Sequence, residues 1–215
     1  GLRTYDLSSP FPEEMNRRTI GLIAKMHLCP TYSAAANLAK EAIDLSAFFE
    51  VTGNTGIDAL NIVSNKINSN QQLSTLFKNK FSYLNLNKFI LCTMHRRESI
   101  GNQQKEILQA FLNIAKENKI DILFPVHLNP NVRAAVEEVF AEEFNKSVFW
   151  VLDEKADLNA ISNSQSGRIF LTNPLDYLSL VYVMEKCFFL MTDSGGLQEE
   201  APTFGKKILV LRKNT

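Results

Sequence analysis

From about residue 84 onward the chain alternates short apolar runs with longer stretches whose apolar residues recur every third or fourth position. The runs are Phe89-Ile-Leu-Cys-Thr93, Asp121-Ile-Leu-Phe-Pro-Val126, Ser147-Val-Phe-Trp-Val-Leu152, Arg168-Ile-Phe-Leu-Thr172, Phe188 to Thr192 and Lys207-Ile-Leu-Val-Leu211. Such runs read as strands buried on both faces. The stretches between them predict helices over Gln103–Asn118, Asn131–Glu143, Asp176–Lys186 and Gly196–Phe204, the last stopped by Gly205. The alternation predicts an α/β fold with a doubly wound parallel sheet. One tract breaks the rhythm: Asp153–Gly167 is polar and closes on Asn-Ser-Gln-Ser-Gly, so it is expected as a surface excursion.

The opening of the chain has a different pattern. A helix is expected to begin near Pro12-Glu13-Glu14, a short strand near His27–Pro30, and an Ala-rich helix after a Thr31 cap. The cluster Gly53-Asn54-Thr55-Gly56 precedes the helical pattern Ile57–Ile67 and is the expected hinge, which divides the chain into 1–52 and 53–215.

Composition removes several function classes. Lys plus Arg and Asp plus Glu both total 23, so no chain-wide field draws nucleic acid or an anionic membrane, and an anion must be held by a local site. No apolar run approaches the roughly 20 residues of a membrane span, and no signal-peptide pattern opens the chain; a cytoplasmic protein is expected. Cys29, Cys92 and Cys187 are widely spaced, each beside or within an apolar segment, and read as buried thiols. A start on Gly1 and a stop at Asn214-Thr215, just past an apolar strand, lead us to expect a piece of a longer chain.

In a doubly wound sheet, ligands bind beyond the carboxyl ends of the strands. The polar residues there are His95, His127, Asn173 and Ser194. In Asp193-Ser194-Gly195-Gly196, an apolar strand hands over to a short acidic helix, so backbone N–H groups and the Ser194 hydroxyl can cradle a phosphate. Glu200, six residues after Ser194, is placed to accept hydrogen bonds from the sugar hydroxyls of a nucleotide. Ser194 as a plain N-cap explains the same turn without a ligand. His95, Arg96 and Arg97 supply cationic donors for a diphosphate, or form a solvated cluster with Glu98. Glu13 and Arg17 share a helix face four residues apart, which places an acid and a guanidinium together. Dipole complementarity is the plain alternative for Glu13.

Seven blocks follow one another along the chain: Gly1-Leu-Arg-Thr-Tyr-Asp, Ser9-Pro-Phe-Pro-Glu-Glu-Met-Asn-Arg17, Thr52-Gly-Asn-Thr-Gly-Ile-Asp-Ala-Leu60, Met94-His-Arg-Arg-Glu98, Pro125-Val-His-Leu-Asn-Pro130, Pro174-Leu-Asp-Tyr-Leu178 and Thr192-Asp-Ser-Gly-Gly-Leu-Gln-Glu-Glu-Ala-Pro202. Taken in this order, they resemble the bacterial non-hydrolysing UDP-N-acetylglucosamine 2-epimerases. The Asp153–Gly167 region falls outside them and resembles an insertion. The resemblance implies two Rossmann-like domains around a cleft, a glycosyltransferase-B-like fold. Residues 1–52 would be the end of the first domain, which is otherwise largely missing from this chain, and 53–215 a C-terminally incomplete second domain that binds UDP. It implies interconversion of UDP-N-acetylglucosamine and UDP-N-acetylmannosamine by elimination of UDP across C1–C2 and its re-addition, for cell-surface polysaccharide precursors. No nicotinamide or metal is required. The complete enzyme is expected to be a cytoplasmic homodimer with no nucleic-acid or membrane partner.

Residue by residue, the resemblance makes Glu13 an acid/base candidate, Arg17 a cleft arginine and His95 the catalytic-site histidine. It makes Ser194, Gly195 and Gly196 the diphosphate loop and Glu200 the ribose acceptor. Arg96 and His127 match positions lining a second, activating UDP-N-acetylglucosamine site in some members. The family's other Asp and Glu would precede Gly1, so the 215 residues alone are expected not to epimerise. Two positions depart from the family pattern: Ser99 stands where Asn is usual, and Leu180 where an aromatic residue is common near the uracil pocket. A hydrolysing epimerase, a related UDP-sugar glycosyltransferase and a non-catalytic UDP-binding fragment are the alternatives.

Overall fold

The computed structural model describes residues 3–8, 11–41, 48–94, 102–151 and 167–211. The chain divides into two compact units, residues 1–59 and 60–214. In the first, α1 (Glu13–Ile23) opens just after Pro12 with Glu13 and Glu14 in its first turn. It is followed by β1 (Met26–Cys29), α2 (Tyr32–Ala39) and β2 (Phe48–Val51). Thr31 caps α2, its hydroxyl oxygen accepting from the Ala34 N–H at 3.1 Å. β1 and β2 pair in parallel from Met26–Phe48 to Cys29–Val51. The sequence reading places no strand at β2, because Phe-Phe-Glu-Val alternates exposed and half-buried positions and offers no continuous apolar run.

A part-buried ion network, with Glu14 at its buried end, links polar groups of this unit. The carboxylate of Glu14, 1% exposed, takes both prongs of the Arg17 guanidinium at 2.7 and 3.1 Å. Arg17 also donates to Glu41 at 2.6 Å, and Glu41 accepts from Arg3 at 2.7 Å. The Arg17 hydrogen bonds hold the Glu14 carboxyl below the usual carboxylate range, against the opposing effect of burial.

The Gly53–Gly56 cluster forms a turn: Gly53 has φ +82°, and the Asn54 side-chain oxygen accepts from the Gly56 N–H at 2.8 Å. α3 (Thr55–Ser69) follows, and the division at residues 59 and 60 falls within it. Next come α4 (Gln71–Lys80), β3 (Phe89–Thr93), α5 (Asn102–Asn118), β4 (Asp121–Pro125), α6 (Pro130–Phe140) and β5 (Val148–Trp150). The chain continues with β6 (Ile169–Thr172), α7 (Tyr177–Lys186), β7 (Phe189–Thr192), α8 (Gly195–Glu200), a 3-10 turn at Ala201–Phe204, and β8 (Lys207–Val210). α4 is a second element without a counterpart in the sequence reading; it starts on an Asn70 cap but buries only Phe77, so its apolar period is faint. α6 begins one residue early because Asn129 caps it ahead of Pro130. It stops at Phe140 rather than Glu143, whose carboxylate instead binds Lys116 and Ser147.

β3 to β8 form one parallel sheet of six strands in the order β5-β6-β4-β3-β7-β8. Alternation along β3 sends Phe89 and Leu91 into one core, with Phe77, Phe81, Phe170 and Tyr182, and Ile90 and Cys92 into another, with Phe111, Phe124 and Phe140. All three cysteines are buried free thiols. No described helix is long and apolar enough to cross a membrane.

Most of the excursion expected over Asp153–Gly167 lies outside the described residues, but the point where the chain re-enters the sheet is firmly held. Asp121 accepts from the backbone N–H of Gly167 at 3.2 Å and of Arg168 at 2.9 Å. It also takes the Arg168 guanidinium on both oxygens, at 3.1 and 2.6 Å. Gly167 sits at φ +94°, and a Cβ there would lie 2.5 Å from the Ala115 carbonyl oxygen. β6 therefore starts from a fixed origin.

Candidate functional site

The strand order reverses at β3: the chain builds to one side through β4, β5 and β6, then crosses to lay β7 and β8 on the other. At such a switch point the loops after two neighbouring strands diverge and leave a crevice. Thr93 and Thr192 end β3 and β7 in register, with their hydroxyls 2.7 Å apart. The Thr192 hydroxyl also accepts from the Ser194 N–H at 2.9 Å, which ties the following loop to both strands. The side-chain amide of Gln198 donates to the Ser194 carbonyl at 3.0 Å and closes the turn. Sequence reasoning passed over the threonine pair; a hydroxyl residue ending each of two apolar runs was its signal.

A cleft of about 400 Å³ opens on this edge. Thr93, Met94 and Pro125 form its floor side, Pro174, Leu175, Tyr177 and Leu180 come from the segment after β6, and Ser194, Gly196, Leu197 and Glu200 from the loop and helix after β7. The structure thus brings together Ser194, Gly196, Glu200 and His127 from the predicted set. Gly195 opens α8 between Ser194 and Gly196. Ser194 is the N-cap of α8, the Leu197 N–H reaching its oxygen at 3.5 Å, and a hydroxyl that accepts keeps its own hydrogen to donate. A Cβ at Gly196 would stand 4.0 Å from the Ser194 hydroxyl and 3.9 Å from a Glu200 oxygen, so bare backbone lies between these two groups.

Glu200 is half-buried and has no hydrogen bond or ion pair among the described residues. Burial, and secondarily the neighbouring Glu199 charge, push its carboxyl above the usual range. A group whose folded pKa lies above its unfolded value contributes most at low pH and loses that contribution as pH rises. Glu200 therefore costs stability at neutral pH. Glu200→Gln is expected to raise the melting temperature at pH 7, with the gain disappearing below pH 4; thermal unfolding at both pH values checks this.

His127 follows β4 and is exposed at the cleft rim. Its Nδ1 accepts from the Asn129 N–H at 3.1 Å, so the neutral ring carries its proton on Nε2 and presents a donor. His95 and Arg96 lie outside the described residues. Glu13 and Arg17 belong to the first unit, where Arg17 serves Glu14 and Glu41 rather than Glu13. Glu13 is exposed on α1 and makes no ion pair among the described residues.

The family profile for UDP-N-acetylglucosamine 2-epimerase matches residues 1–215. A UDP-N-acetylglucosamine 2-epimerase of Campylobacter jejuni is 42% identical over 220 aligned residues, covering 100% of this chain and 51% of that protein. The crystal structure of the UDP-GlcNAc 2-epimerase from Neisseria meningitidis bound to UDP-GlcNAc superposes with a TM-score of 0.82 at 37% identity, covering 100% of this chain and 52% of that one. The Methanocaldococcus jannaschii UDP-GlcNAc 2-epimerase in complex with UDP-GlcNAc and UDP gives a TM-score of 0.73 at 26% identity, with 100% and 52% covered. The chain spans about half the length of the curated relatives it matches. The α/β, glycosyltransferase-B-like fold class expected from the resemblance is that of these structural relatives.

Proposed function

Because the chain belongs to the UDP-N-acetylglucosamine 2-epimerase family, we propose that its cleft binds the UDP portion of UDP-N-acetylglucosamine and that the protein carrying it epimerises that sugar at C2. The observation that carries this reading is the pairing, across Gly196, of a capping hydroxyl with a half-buried carboxylate that has no hydrogen-bond donor among the described residues. The backbone N–H groups of Gly195 and Gly196, in the first turn of α8, have no intrahelical acceptor and suit diphosphate oxygens, while Glu200 suits a ribose diol. Glu13 is the acid/base, Arg17 the arginine beside it, and His95 the histidine at the reacting sugar. Elimination of UDP across C1–C2 needs a base at C2 and donors on the departing diphosphate together, and re-addition returns the proton to the other face. His127 and Arg96 serve a second nucleotide-sugar site that activates. A cytoplasmic homodimer supplying polysaccharide precursors completes the reading, supported by the resemblance of the motif blocks.

The test is product analysis in deuterated water. The protein carrying this sequence, given UDP-N-acetylglucosamine, is expected to yield UDP-N-acetylmannosamine with deuterium at C2 by proton NMR. Release of free N-acetylmannosamine would replace the non-hydrolysing reading with the hydrolysing one. In calorimetric titration, Glu200→Ala is expected to weaken UDP binding by about 1–3 kcal/mol, the scale of a hydrogen bond to a charged group. Unchanged affinity would remove Glu200 from the site.

A further inference from the structure

We infer that Thr93 is a further substrate-binding residue: its hydroxyl donates to a diphosphate oxygen, and a one-way chain of hydrogen bonds running back to the Ser194 N–H aims its proton there. The inference rests on the nucleotide reading of the cleft.

One end of this chain cannot reverse. The Ser194 backbone N–H can only donate, and it gives its hydrogen to the Thr192 hydroxyl oxygen at 2.9 Å. Thr192 is fully buried, and the Thr93 hydroxyl, 2.7 Å away, is the other partner of its hydroxyl among the described residues. Two directions are open to that contact. If Thr93 donates, Thr192 receives two hydrogens and its own has no acceptor in a place that water does not reach, which costs the desolvation of that group. If Thr192 donates, its hydrogen and a lone pair are both used and nothing buried is orphaned. The second direction therefore holds, and Thr93 receives one hydrogen while keeping its own for another acceptor.

The position of Thr93 says what that acceptor is. Thr93 ends β3 on the same face as Phe89 and Leu91, whose core is covered by Leu175 and Leu180 of the cleft wall. It is the partly exposed member of the threonine pair, and it lines the cleft. Its oxygen is two hydrogen-bond lengths from the Ser194 nitrogen, beside the turn read as the diphosphate cradle. A free hydroxyl hydrogen at that point suits an anionic oxygen. Each bond in the series polarises the next, so the last hydrogen is a better donor than that of an isolated threonine. As negative charge accumulates on departing UDP, such a donor strengthens where elimination needs it.

The decisive comparison is made in a Thr192→Val background, where the tie between the two strands is already cut. In the complete protein that carries this sequence, UDP is titrated by calorimetry into wild type, Thr93→Ser, Thr192→Val and the double variant Thr192→Val/Thr93→Val, with thermal unfolding as the folding control. Replacing both hydroxyls leaves neither of them unpaired, so the double variant should melt no lower than Thr192→Val. Donation by Thr93 predicts that Thr93→Ser binds within about threefold of wild type. It also predicts that the double variant binds UDP roughly 10-fold or more weakly than Thr192→Val, the scale of one hydrogen bond to a charged acceptor, and that the phosphorus NMR signals of bound UDP differ between the two. Equal affinity of these two variants overturns the inference, leaving Thr93 as a tie between β3 and β7. Weaker binding with unmoved phosphorus signals overturns it as well, because the contact is then not on the diphosphate. Both outcomes leave the nucleotide reading standing, whereas absence of UDP binding by wild type overturns that reading and this inference together.

Discussion

In the complete enzyme that carries this sequence, Glu13→Gln is expected to reduce turnover by about 100-fold or more while leaving the melting temperature within a degree or two of wild type, as for the loss of an acid/base group. The neighbouring substitution should do the reverse. Glu14 is buried against the Arg17 guanidinium, so Glu14→Gln removes a charged partner from an interior network and is expected to cost about 1.5–3 kcal/mol of stability. Glu13 is exposed and unpaired among the described residues, so its removal disturbs no described contact. The two adjacent glutamates are thus expected to separate chemistry from architecture. Measuring turnover by NMR and unfolding by calorimetry on both variants decides the matter; near-normal turnover in Glu13→Gln would reduce that residue to a helix-dipole complement.

Gly167→Ala is expected to destabilise the protein by about 2–5 kcal/mol. Two effects add: a left-handed backbone at φ +94° that L residues rarely adopt, and a Cβ placed 2.5 Å from the Ala115 carbonyl oxygen, an atom on a helix backbone that cannot swing aside. Equilibrium denaturation measures the loss. A change below 1 kcal/mol would mean that α5 yields around position 115 and that the close approach is not rigid.

How much of this was legible in the sequence depended on burial. β3 to β7 of the large sheet are largely buried, and each announced itself as a continuous apolar run. β8 is as half-exposed as β2 and was legible because its Ile208-Leu-Val-Leu211 run is unbroken. β2 and α4 were invisible because Glu50 interrupts the one and the other buries only Phe77, so neither carries a full pattern. Within the site, Ser194, Gly196 and Glu200 were readable because the strand-to-helix turn compresses them into one short segment. The Thr93–Thr192 hydroxyl pair was not, since its members are far apart in the chain and meet only through strand register. Arg17 shows the limit of spacing arguments. Helical geometry puts both Glu13 and Glu14 within its reach, and the pairing goes to Glu14 because burial favours the carboxylate that can be fully hydrogen-bonded.

The Asp121 clamp has a bearing on how such a protein tolerates change. Strand β6 is fixed where it begins, by Asp121 on Gly167 and Arg168, and its far end leads into Pro174 and Leu175 in the wall of the cleft. The start of β6, and with it the strand's approach to the cleft, is held by Asp121 from a neighbouring strand and not by the sequence between Val151 and Gly167. Asp121 is thus the lock to preserve when that sequence is varied or extended.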